Sequence, residues 1–151
     1  MTIRSTYLQS AVIEWLRLDT EISLALGDDG NVQPVAITQT QRGKGNAPNP
    51  RISVGASMTS TDRENMRESK AFEVRVIVDG AVGKGIPVET VEDLSRLQDR
   101  VADIITEHHP GWEATGIIAE EELAWSDDLG RHAGVLSAGY ERDDPAAPHE
   151  A

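Results

Sequence analysis

Between residues 70 and 78 apolar and polar positions alternate: Phe72, Val74, Val76 and Val78 fall on one side, with Glu73 and Arg75 between them. A period of two predicts a strand with one buried face. A turn rich in glycine follows, with Gly80, Gly83, Gly85 and Pro87. The period then lengthens. Val91, Leu94, Leu97, Val101, Ile104 and Ile105 make one stripe at helical spacing. Thr90 is placed to cap that helix, Asp93 lies in its first turn, and Pro110-Gly111 predicts its end. A one-faced strand and a one-faced helix bury both apolar surfaces when the helix lies on the sheet.

The same patterns organise the rest of the chain. Leu8, Ala11, Val12, Trp15 and Leu16 predict a first helix over 5–19, and a short helical turn over 21–26 is capped by Thr20 and stopped by Gly27. Residues 32–40 predict a strand anchored by Val35 and Ile37; Pro34 places it at its own start or at a sheet edge. Residues 41–50 have no period and predict a loop. Ile52, Val54, Ala56 and Met58 alternate and predict a strand over 51–58. The polar run 59–69 then forms either a long hairpin tip or a two-stranded arm. After the central helix, Ile117, Ile118, Leu123 and Trp125 predict a strand over 115–125, interrupted by Glu120-Glu121-Glu122. A turn at 126–130 returns the chain as a strand over 131–141, with Leu136, Ala138 and Tyr140 on one face. The expected order is α, short α, β, β, β, α, β, β. That is an α+β domain, with the N-terminal helix and one long central helix packed on one face of a mainly antiparallel sheet. One domain over 1–142 is expected, followed by a disordered acidic tail over 143–151.

Charge changes this picture more than composition does. Twenty-six Asp and Glu stand against 14 Lys and Arg, a net charge of −12. Only Lys44, Lys70 and Lys84 are lysines. An acid-rich, lysine-poor surface suits molar salt, where the Debye length falls to about 3 Å and crowded carboxylates stop repelling. The alternative is an ordinary acidic protein. Such a charge argues against broad binding to a phosphate backbone. There is no cysteine, hence no disulfide framework or thiolate metal site, and no run approaches the roughly 20 apolar residues of a membrane-spanning helix. The first residues do not read as a signal peptide, and synthesis inside a cell is the expectation.

Candidate chemistry is sparse. His108-His109 ends the central helix, where neighbouring residues diverge by about 100°; a cation at a helix C-terminus is preferred over a metal site. Glu120–Glu122 with Asp127-Asp128 lacks the spacing of a calcium loop and reads as a solvated acidic edge. Arg42-Gly43-Lys44-Gly45 is not a phosphate loop, because the spacing and the following helix are both missing. No nucleophile or metalloprotease motif is present. The expectation is a protein without catalytic residues, metal or cofactor.

The order of these features resembles the tail-completion, or tail-terminator, proteins of long-tailed viruses. Leu24-Ala25-Leu26-Gly27-Asp28 is similar to the family's "Leu-Leu-Gly-Asp" turn after the first helix, and Phe72-Glu73-Val74-Arg75-Val76 to its "His/Phe-x-Val-x-Val" strand. The segment from Asp127 to Leu136 is similar to its closing hairpin, "Asp-Asp-x-Gly-Arg-x-x-Gly-Val-Leu". The strand carrying Glu120–Glu122 departs from the family's shorter turn. The resemblance implies a structural virion protein, assembled in the host cytoplasm, that forms a homo-oligomeric ring, with six copies expected, at the head-proximal end of the tail. Its partners would be the tail tube protein and the neck, stopper or connector proteins, with genomic DNA passing through the lumen without specific binding. The charge adds a halophilic, archaeal host to that expectation. Strand pairing between subunits would use the edge at 32–40 and the arm at 51–78. The candidate interface residues are Val35, Ile37, Arg42, Lys44, Arg63, Arg67, Glu73 and Arg75. Two other readings stand beside this one: a neck or stopper protein of the same kind of particle, and a small acidic cellular enzyme or ligand-binding domain.

Overall fold

Phe72, Val74, Val76 and Val78 are buried together with Leu94, Leu97, Val101, Ile104 and Ile105 in one core cluster, so strand and helix do share their apolar faces. A computed structural model describes residues 5–26, 32–34, 50–62, 69–83, 89–127 and 130–143. Its elements follow the expected order: α1 (Ser5–Leu18), α2 (Thr20–Leu26), β1 (Val32–Pro34), β2 (Arg51–Asp62), β3 (Ser69–Gly80), α3 (Val91–Thr106), β4 (Glu113–Ser126) and β5 (Arg131–Asp143). The strands form one sheet in the order β1-β2-β3-β5-β4. β1 runs parallel to β2, and every other pair is antiparallel. The α+β fold expected from the sequence is the fold observed.

Register explains the burial. Val54, Val76 and Leu136 lie side by side across β2, β3 and β5, as do Phe72 and Tyr140 across β3 and β5. Even-numbered positions on these strands therefore face the helices. α1 adds Leu8, Val12 and Leu16, all fully buried. Tyr140 fills the seam below α3 and donates its hydroxyl hydrogen to the carbonyl of Ile105. Burial raises the Tyr140 phenol pKa, so it remains a donor.

Element ends show where local signals were misread. α3 begins as expected, with Thr90 Oγ1 accepting from the Asp93 N–H at 3.1 Å. It stops at Thr106, before Pro110, because Glu107 turns extended (φ −73°, ψ 162°) and its N–H closes on the Ile104 carbonyl. A His109 ring nitrogen reaches the same carbonyl at 2.8 Å, and Tyr140 takes the next one, so last-turn acceptors are satisfied without further helix. Val91, expected on the buried stripe, is exposed at the first helical position. α2 is capped by Asp19 and not by Thr20: Asp19 Oδ2 accepts from the Ile22 N–H at 3.0 Å. Arg100 grips the same carboxylate with Nη2 at 2.6 Å and Nε at 3.1 Å, tying α3 to the α1–α2 corner.

β2 to β5 also exceed their expected lengths. β2 runs to Asp62 and β3 starts at Ser69, with Asp62 paired to Ser69, so the described ends of the polar run extend the two strands as an arm. β1 is the edge strand expected near Pro34. Residues 35–49, 63–68 and 144–151, and with them the expected loop and the expected disordered tail, lie outside the described residues. Of the expected anchors on β4, only Leu123 packs half-buried against the core; Ile117, Ile118 and Trp125 are exposed. β4 is the other sheet edge, and its pairing with β5 is broken by three register shifts.

Two outcomes test this packing. Val101→Asp places an unpaired charge in the α3–sheet seam at a cost of several kcal/mol; circular dichroism should show loss of cooperative melting. Asp19→Asn should lower the melting temperature at pH 7. Arg100 holds the Asp19 carboxyl below its ordinary value of 3.8, so the stabilisation exists above that value and is lost as the pH falls through the depressed pKa. Melts of the two proteins should therefore converge in acid.

Candidate interaction surface

The helices cover one face of the sheet, and the odd-numbered positions of β2, β3 and β5 share the other. Strand alternation puts Glu73, Arg75, Ile77 and Asp79 on this second face, opposite Ser57, Gly55, Ser53 and Arg51 of β2. Gly139, Ser137, Val135 and Ala133 of β5 lie on the other flank of β3.

Burial grades along this face. At one end Asp79 is fully buried, and Arg51 approaches its Oδ2 with Nε at 3.2 Å and its Oδ1 with Nη2 at 3.3 Å. Arg131 Nε lies 3.1 Å from Asp79 Oδ1. Burial raises the Asp79 pKa, while both guanidiniums oppose that shift. The three side chains lock β2, β3 and β5 in register, since one carboxylate serves two arginines from different strands.

At the other end the face is open. A depression of ≈ 380 Å³ is lined by Ser57, Glu73, Arg75, Glu121, Val135 and Ser137 among others. It presents both signs of charge, two hydroxyls and one branched apolar side chain, which equips it for hydrogen-bonded contact with another polar surface. Glu73 and Arg75 are the two candidate interface residues that the structure describes, and both lie here, half-buried. Val35, Ile37, Arg42, Lys44, Arg63 and Arg67 lie outside the described residues.

β4 closes this surface. Gly116, with φ 119°, sits at its first register shift, where a side chain would be strained. Gly139 on β5 makes room for Thr115 and Ile118, whose atoms would otherwise meet a Cβ there. The Gln98 amide, buried on α3, donates to the Glu121 carbonyl at 3.1 Å and lies over Gly134, where a Cβ would come within 2.7 Å of its Nε2. The signal for Gln98 was present: it is the one polar position on the stripe running from Leu94 to Val101. The signal for Asp79 was also present, since it shares the parity of Glu73 and Arg75 directly after Val78. The partners of both residues were not signalled.

His109, His132 and Asp127 make packing contacts. His109 stacks on Trp15 with centroids 3.6 Å apart and planes within 6°. Its ring is committed to that stack and to the Ile104 carbonyl. Trp125 donates Nε1–H to Asp127 at 3.0 Å and meets His132 edge-on. Among the described residues, no group of three His, Asp or Glu side chains is arranged to hold a metal ion.

No protein-family model matches the chain, and no curated protein does. Among solved structures it is similar to a chain of the "Virion of native gene transfer agent (GTA) particle". The two superpose with a TM-score of 0.60 at 14% identity, over 91% of this chain and 94% of that one. The likeness is one of fold, and it spans almost the whole of both chains.

Asp79→Ala would leave Arg51 and Arg131 facing each other in a buried site. The expected loss is about 3–5 kcal/mol, read as a fall in the denaturant midpoint at unchanged slope.

Proposed function

We propose that this protein is a structural component of a phage-like virion, and within that class a tail terminator. In this reading copies of the chain form a ring at the head-proximal end of the tail. The ring stops growth of the tail tube and joins it to the neck. The observation that carries the reading is the end-to-end likeness of fold to a virion chain, which falls on the same chain as the ordered run of tail-terminator-like segments.

The physical character of the molecule supports it. One face of the sheet is closed by helices, and the other presents polar groups of both signs over an open depression. Side chains there are suited to recognising a surface. In a ring the subunits' net charge of −12 would make an acidic annulus past which DNA slides without sticking. The scarcity of lysine and excess of carboxylates fit assembly in a salt-loving host, where screening relieves repulsion between subunits.

The test is assembly. Light scattering after size exclusion in molar KCl should give six times the 16.4 kDa chain mass, and negative-stain images should show rings. Labelling in the particle should place the protein between tail tube and neck. A label on the capsid side of the neck would identify a stopper instead, and a monomer binding a small molecule would overturn the structural reading. The melting temperature should rise from low to molar salt.

A further inference from the structure

β4 is the last strand of the sheet, and among the described residues no strand pairs with its outer side. Its fourteen residues include three large apolar side chains left in water: Ile117 is 40%, Ile118 58% and Trp125 59% accessible. Between the isoleucines and Trp125 stand Glu120, Glu121 and Glu122, all exposed. Among the described residues no ion pair engages these three carboxylates. The chain itself supplies no cation locally, since no lysine or arginine occurs between Arg100 and Arg131.

Charge and irregular pairing guard an edge strand against indiscriminate addition. β4 has both, but its guard is selective. Three successive carboxylates repel a like-charged strand and attract a cationic one. Exposed isoleucine and tryptophan on either side of them reward a partner that covers them. A second copy of this chain is poorly equipped to be that partner. Arg17 donates to the Val32 carbonyl, Arg51 and Arg131 share Asp79, and Arg96 pairs with Glu92 and Asp93. Arg100 pairs with Asp19, Arg142 lies over the Trp112 ring, and Arg75 is engaged as well. The described arginine side chains are therefore committed within their own subunit, on a chain whose net charge is −12.

We infer that the outer edge of β4 takes up an extended, cationic segment of a different protein, which adds to the sheet as a further strand. Main-chain hydrogen bonds and contact with Ile118 and Trp125 provide the affinity. Lysine or arginine side chains of the segment lie against Glu120, Glu121 and Glu122 and select it over acidic strands, β4 of another copy included. The inference goes beyond the ring reading and does not depend on it, because a single subunit carries the whole surface.

The experiment uses the full chain and a synthetic peptide that alternates lysine with valine. Calorimetry at low salt should show binding, and amide exchange should slow along β4 when the peptide is added. A peptide alternating glutamate with valine should not bind. The variant E120K, E121K, E122K should bind the lysine peptide more weakly by about tenfold or more and bind the glutamate peptide instead. No binding of the lysine peptide, or binding that the triple reversal leaves unchanged, overturns the inference. A second probe needs no variant: the lysine peptide N-methylated at every peptide bond keeps its charge but has no backbone donor, and it should not bind. Equal binding of that peptide overturns strand addition. Protection of the β4 amides in the assembled wild-type chain without peptide assigns the edge to a second copy and overturns the inference too. None of these outcomes bears on the ring mass, which light scattering measures separately.

Discussion

The seam between α3 and the even-numbered residues of β3 and β5 holds this molecule together. Leu94, Val101 and Ile105 are fully inaccessible, as are Val74, Val76 and Ala138 beneath them. Burying these groups is favourable by about 25 cal/mol per Å² of apolar surface. Everything else is arranged around that seam. α1 extends it over β2, Tyr140 joins its floor to the end of α3, and Arg100 ties α3 back to the start of α2.

Covering only one face has a consequence for function. A sheet with helices on both sides leaves few surfaces for recognition. Here, among the described residues, the second face and the outer side of β4 remain. The Asp79 cluster fixes the register of the three central strands at one end, which lets the other end carry polar groups without support from a second layer. Irregularity is concentrated in β4, whose pairing is broken by three register shifts, with one more on β2 between Met58 and Ser60. The middle of the sheet is regular and its outer strand is not. A fold shared end to end with a virion chain at 14% identity is consistent with that division: the seam constrains only size and apolarity, and the surface is free to change.

The fold was legible in the sequence because each central element buries one face. Alternation at 72–78 and the three-and-four spacing from Leu94 to Ile105 report burial directly, since a polar residue at those positions would be left without water or partner. Caps were legible less often. Thr90 was found, but Asp19 was passed over for Thr20, because both types cap and only geometry shows which side chain reaches the free N–H. The end of α3 was misplaced because Pro110 signals a stop but not the earlier one made by Glu107, His109 and Tyr140. Ile117, Ile118 and Trp125 were read as anchors because hydrophobicity alone does not tell a core strand from an edge strand.

By itself the sequence determined the order of elements, the faces of β3, α1 and α3, and the acidic, lysine-poor character of the surface. These are local or additive properties, fixed by the spacing and number of residue types. Only the tertiary structure decided that β4 lies at an edge beside β5, that Asp79 is shared by Arg51 and Arg131, and that Gln98 spans from α3 to the backbone of β4. The last two join residues from 23 to 52 positions apart. Such pairings depend on strand order and register, and these follow from how the whole set of apolar faces closes together.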